Sequence, residues 1–264
     1  VLKSHPRIHF PTKRKEIQFF TRYYDKGEQW YRGLFDNAPK EAVHRGDFTP
    51  GYLMVPKGPE RIHALGTVDR FVLILRDPVE RTYSHYKWHL RVTGEQMSFS
   101  DFYTRMPRLA LENGLYFKYL TAYLEHFEPG QFLVLTLEES KQAPDVLLER
   151  LADFFEVDKT LFRIPEATNQ SQIPRYRRLF NLAHKFNNYL RRKDLDAIPN
   201  LFISLGMKKA FGQAKANVPE MTMEERQELK KFFRSDVREL EQYLGRSMME
   251  WKNFRDEMKT DQHV

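Results

Sequence analysis

The sequence contains no cysteine, which removes disulfide crosslinks, thiolate metal sites and cysteine nucleophiles together. A reducing compartment fits that absence. Long apolar runs are missing too: the longest are about five residues, far short of the roughly 18 that read as a membrane span. The opening VLKSHPRIHF has no signal-peptide core, so a soluble, cytoplasmic chain without a membrane span is expected. No glycine precedes Gly27, and the 12 Gly and 14 Pro are scattered rather than pooled into a linker. Repeats and low-complexity tracts are absent as well. One domain over 1–264 is expected, with an α/β core over 1–176 and a helical part over 177–264.

What is present supports a real core: 41% of the 264 residues are hydrophobic and 14% are aromatic. The 43 Lys and Arg exceed the 36 Asp and Glu, giving a net charge of +7. That points to an anionic partner without choosing among nucleic acid, membrane, nucleotide and acidic sugar.

Short apolar stretches at 17–20 (IQFF), 71–75 (FVLIL) and 132–137 (FLVLTL) read as buried strands. Between them, apolar residues recur at three- and four-residue spacing over 27–35, 59–65, 79–91, 101–106, 115–127 and 144–155, which predicts helices. The alternation predicts an α/β fold, a central parallel sheet flanked by helices in three layers. After residue 176 the strand signal stops. RLFNLAHKFNNYLRR (178–192) reads as helix, and a final helix is framed by Thr222 and Glu225 as a capping box and by Gly245 as a terminator. Its stripe of Leu229, Phe232, Phe233, Val237, Leu240, Tyr243 and Leu244 predicts a helical C-terminal cover.

The strand 71–75 runs straight into Arg76, Asp77 and Pro78. In an open parallel sheet, ligands bind beyond the carboxyl ends of strands. The arginine fork matches two phosphate oxygens, and proline suits the first turn of the next helix. Ser84 lies further along that helix, where its hydroxyl can join the same oxygens. The plain alternative pairs Arg76 with Asp77 or Glu80 and leaves Ser84 as a small packing residue. His5 and His9 are four apart, but Pro6 breaks helical geometry, so they are expected to be exposed histidines rather than metal ligands.

The run LILRDPVERTYSHY resembles the 3′-phosphate-binding segment of sulfotransferases that use 3′-phosphoadenosine 5′-phosphosulfate (PAPS). KEIQFFTRYYDKGEQWYRGLF (15–35) is similar to the opening of the heparan-sulfate-type and related bacterial members. GDFTPGYL (46–53) resembles their Ser/Thr-Pro-x-Tyr turn, and 114–139 resembles a later helix–strand unit. NQSQIPRYRRL (169–179) is similar to the loop over the nucleotide, although Gln172-Ile173 stands where the family has Lys-Gly.

The resemblance implies a P-loop-type fold and transfer of a sulfuryl group from PAPS to a hydroxyl or amine of a carbohydrate, lipid or polyketide-like acceptor, with no metal and no nucleic-acid partner. It implies that Arg76 and Ser84 hold the 3′-phosphate, that Arg175 and Tyr176 contact the nucleotide, and that Arg81 is structural. Glu16 would be the general base, with His85 in reserve. Lys13, Arg14 and Lys15 would meet an anionic acceptor or the leaving phosphate, and Tyr52 and Tyr116 would line the acceptor site. For Glu16 and the basic cluster a solvated, charged turn is the alternative.

The family's glycine-rich phosphosulfate loop precedes the first matching block. A chain lacking roughly 25 to 30 upstream residues is therefore expected, counting a strand, a loop and a helix. Two other readings stay open: a noncatalytic nucleotide- or polyanion-binding module, and a small-molecule kinase. The kinase would need a GxxxxGK[ST] segment and acidic Mg²⁺ ligands, neither of which is seen.

Overall fold

The computed structural model describes residues 1–14, 16–164, 186–196 and 218–255. Two units divide the chain, each assembled from several stretches. The first comprises Val1–Arg61, Arg91–Gly94 and Leu148–Ala216, and the second Ile62–Leu90, Glu95–Leu147 and Asn217–Val264.

In the first unit, β1 (Ile8–His9) and β2 (His44–Arg45) form a short parallel pair with Ile8 opposite His44. Histidines fasten this pair to its surroundings: His44 Nε2 donates to the Phe155 carbonyl at 2.8 Å and His5 Nε2 to the Asp158 carbonyl at 3.0 Å. His5, expected at the surface, is instead buried with its ring 4.7 Å from that of Phe162. Two strands of two residues each carry no periodicity, which is why the sequence did not mark them.

The expected strand at 17–20 is not formed. Phe19 and Phe20 open α1 (Phe19–Arg22), and Gln18 before them has left-handed backbone at φ 58°. Both phenylalanines are buried against α2 (Gly27–Gly33), with Phe19 stacked on Tyr31 at 4.5 Å and Phe20 edge-on to the same ring at 5.3 Å.

The second unit contains the parallel pair β3 (Phe71–Leu75) and β4 (Phe132–Thr136), in register from Phe71 opposite Phe132 to Leu75 opposite Thr136. Both strands were expected, and so were the helices α3 (Gly58–Leu65), α4 (Pro78–Thr93) and α5 (Phe99–Arg105); the short α6 (Pro107–Ala110) was not, α7 (Tyr116–Leu124) was, α8 (Leu137–Gln142) was not, and α9 (Pro144–Phe155) was, with α3, α4 and α9 each running across a boundary between the two units. Among the described residues the strands form two separate pairs rather than one central sheet. A right-handed crossover is the standard route between parallel neighbours, and α4 to α7 occupy the β3–β4 connection.

Residues 186–192 are helical (α10). The last helix, α11 (Met223–Leu244), has the predicted frame: Thr222 and Glu225 form a capping box, and Gly245 takes φ 62°. Leu229, Phe233, Val237 and Leu240 are buried, each contributing about 1.5–3 kcal/mol by the usual value of a buried large apolar side chain. Phe232 departs from the expected stripe and is 44% exposed. Asp236 takes the inward position instead, accepting the backbone N–H groups of Phe117 at 3.1 Å and Lys118 at 2.8 Å, donors otherwise orphaned at the start of α7. Gly114 makes room for this packing, since a Cβ there would stand 2.7 Å from the Phe233 ring. No helix among the described residues is long and apolar enough to cross a membrane.

Candidate active site

The corner after β3 is built by its acids before its bases. Asp77, 1% exposed, caps α4 by accepting from Val79 N at 3.0 Å and Glu80 N at 3.3 Å. Its other oxygen accepts from Asn253, at 3.2 Å from the backbone and 2.7 Å from the side-chain amide. Glu80 accepts from Arg226 at 2.7 Å and pairs with Lys252 at 3.0 Å. Neither acid is therefore engaged with Arg76. Among the described residues the Arg76 guanidinium has no hydrogen bond or ion pair, and neither does the Ser84 hydroxyl on α4. A charged fork just past a strand's carboxyl end and an alcohol on the second turn of the next helix are the kinds of donor a phosphate needs.

Tyr116, expected to line the acceptor site, is buried and donates its hydroxyl to the Arg76 carbonyl at 2.9 Å. Its contact is thus with the backbone of the corner, and burial pushes its phenol well above the ordinary range. Glu138, at the start of α8, accepts the Asp77 N–H at 3.4 Å. Burial raises its carboxyl, while Arg76 pulls in the opposite direction. Arg81 donates to the Ala110 carbonyl at 2.6 Å and the Leu109 carbonyl at 3.4 Å, a structural use. His85 sits with its ring 5.4 Å from Trp88 and 5.9 Å from Phe102. Burial, then the charge of Arg81 and of His89, lowers it to about 4.

The first unit holds an open cleft of about 350 Å³ lined by Glu16, Gln18, Thr21, Arg22, Thr49 and Gly51. Glu16 is half-buried and accepts from Gln18 Nε2 at 3.3 Å. Arg22 brings a guanidinium without a hydrogen bond or ion pair among the described residues. Tyr52 does not offer its hydroxyl to the cleft: the oxygen accepts from Phe19 N at 2.8 Å and the proton goes to Asp47 Oδ2 at 2.6 Å.

Arg14 is turned inward. It is 2% exposed, donates to Asp196 at 2.8 Å and 3.1 Å and to the Arg191 carbonyl at 2.6 Å, pairs with Asp194 at 3.1 Å, and lies over the rings of Tyr23 and Trp30. Lys13 is exposed. Lys15, Arg175 and Tyr176 lie outside the described residues. Sequence reasoning passed over Asp47, Thr49, Gln18 and Arg22; the Thr-Pro turn was the one local signal that led near them. Among the described residues no group of three or more His, Cys, Asp or Glu is arranged to hold a metal ion.

The family described as "Sulfotransferase domain" matches residues 65–248, a span that includes Arg76 and Ser84 and begins downstream of Glu16. Heparan sulfate glucosamine 3-O-sulfotransferase 3B1 of Mus musculus is 33% identical over 161 residues, 58% of this chain and 40% of its own length. The chain thus spans 40% of the length of that relative. The bifunctional heparan sulfate N-deacetylase/N-sulfotransferase 1 of Caenorhabditis elegans is 24% identical over 252 residues, 90% of this chain and 26% of that protein. The crystal structure of a sulfotransferase from Alicyclobacillus acidocaldarius superposes with a TM-score of 0.66 at 21% identity, covering 95% of this chain and 91% of that one, and so shares the α/β fold expected from the sequence. With the family match extending over most of its length, the chain belongs to the sulfotransferase domain family.

Proposed function

We propose that the protein transfers a sulfuryl group from PAPS to a hydroxyl or amine. The observation that carries this reading is the pair Arg76 and Ser84, whose donors are without partners among the described residues while the neighbouring acids are engaged elsewhere. A guanidinium just past a strand's carboxyl end and an alcohol on the second turn of the helix that follows fit the 3′-phosphate, which separates PAPS from adenine nucleotides without one. When bound, PAPS supplies the activated sulfuryl group.

The chain's own work is to hold, orient and deprotonate. Arg76 and Ser84 fix the nucleotide end, and Tyr116 steadies the Arg76 backbone from beneath. In the first unit Glu16 takes the proton from the acceptor within the cleft, where Arg22 and Thr21 supply cationic and hydroxyl contacts. His85, in its aromatic surroundings, remains the reserve base. A carbohydrate is favoured among acceptors by the heparan sulfate named for the mouse and worm relatives; a lipid or polyketide-like alcohol is the other class. The cysteine-free composition favours a cytoplasmic setting.

Two measurements test this. Calorimetric titration with 3′-phosphoadenosine 5′-phosphate (PAP) should show binding that 5′-AMP does not match. Labelled sulfate from PAPS should appear on at least one member of a panel of sugar, lipid and polyketide-like alcohols and amines. No PAP binding at millimolar ligand would end the reading. Binding without transfer across the panel would favour the noncatalytic module.

A further inference from the structure

We propose that Asp47 is a positioning residue for Glu16, acting through the hydroxyls of Thr49 and Tyr52 on the backbone that carries it. This deepens the reading above and rests on Glu16 being the general base.

Each of those hydroxyls has a single proton, and Asp47 accepts both, from Thr49 on Oδ1 at 2.7 Å and from Tyr52 on Oδ2 at 2.6 Å. Their lone pairs are thereby left for the chain. Thr49 Oγ1 accepts the Gln18 N–H at 3.3 Å and the Tyr52 hydroxyl accepts the Phe19 N–H at 2.8 Å, while the Ile17 N–H reaches Asp47 itself. Three successive amides after Glu16 are thus gripped by one cluster six residues long in sequence, 47–52. The grip accounts for the left-handed backbone at Gln18, which is unfavourable for a side chain with a Cβ and persists only where its surroundings over-determine it. Tyr31 adds a longer bond to the same carboxylate at 3.4 Å, and Tyr31 is itself packed against Phe19 and Phe20. The geometry leaves Glu16 at the mouth of a fixed turn, with its carboxylate accepting a hydrogen bond from Gln18 Nε2.

Asp47→Asn keeps the shape but replaces one acceptor oxygen with a donor, so one hydroxyl must turn and release its amide. Amide hydrogen exchange on the free protein should quicken at Ile17, Gln18 and Phe19 in Asp47→Asn and stay as in the wild type in Glu16→Gln. Turnover of Asp47→Asn should fall about 10- to 100-fold, the range in which small misplacements of a catalytic group act, with PAP affinity unchanged. In the Glu16→Gln background the same substitution should cost less than twofold, because its effect passes through the side chain already removed.

An equal loss in both backgrounds, or unaltered exchange at the three amides, overturns the proposal. If Glu16→Gln turns over like the wild type, the base assignment itself is what fails. Should Asp47→Asn not fold, Tyr52→Phe, which frees the Phe19 amide alone, carries the same comparison.

Discussion

Arg76 and Arg14 share a side chain and have opposite surroundings. Arg14 is enclosed by Asp194, Asp196 and two aromatic rings, so its removal leaves the buried Asp196 with only the longer contact to Arg191 at 3.8 Å, while the exposed Asp194 keeps Lys26. Arg14→Ala should lower stability by about 3 kcal/mol, the scale for breaking a buried pair, measured by urea unfolding. Arg76 stands without such partners, and Arg76→Ala should leave the unfolding midpoint nearly in place. Its effect should appear in PAP titration as a loss of about 10- to 100-fold, from one charged hydrogen-bonding group worth about 1.5–3 kcal/mol.

His85 gives a pH test. Its folded pKa of about 4 lies below its ordinary 6.5, so the folded state resists protonation and stability is lost as pH falls from 6.5 toward 4. His85→Gln should therefore lose less of its melting temperature between pH 7 and pH 4.5 than the wild type does. The two arginines were not equally legible. Arg76 announces itself because a strand, an arginine and a proline are adjacent, whereas the partners of Arg14 lie 180 and 182 residues away.

At the level of elements, the sequence was legible wherever periodicity ran for two turns or more. β3 and β4 and the helices α2, α3, α4, α5, α7 and α9 lie where apolar spacing put them, whereas the four- and six-residue α6 and α8 are too short to show it. The failure at 17–20 has a physical cause: four apolar residues fit a buried strand or a buried helix turn equally well, and the decision was made by side chains thirty residues later that take the backbone donors a strand would need. Phe232 and Asp236 show a related limit, since a polar residue on an apolar face reads as an error until the helix end it serves is known. Asp236→Ala strands two amides at the start of α7 and should cost about 1–3 kcal/mol for a buried donor left unsatisfied. Differential scanning calorimetry should show it, with Glu239→Ala, on the exposed side of α11, as the neutral control.

At the level of the whole molecule, each unit is drawn from three separated stretches of chain, and the composition alone could not have indicated such a division. The bonds from Asn253 to Asp77 span 176 residues, and Asn253 also accepts from Arg226 at 2.8 Å. Asn253→Ala removes the side-chain half of that attachment and should destabilise by about 1–3 kcal/mol, read as a lower denaturant midpoint that saturating PAP partly restores through ligand linkage. The same attachment has a consequence for biosynthesis. A nascent chain can make α4 early, but Asp77 cannot complete its bonding until residue 253 has left the ribosome, and such long-range closure is slow. Until then the half-made protein shows its interior to the cell, so stalled or shortened translation products should be chaperone clients.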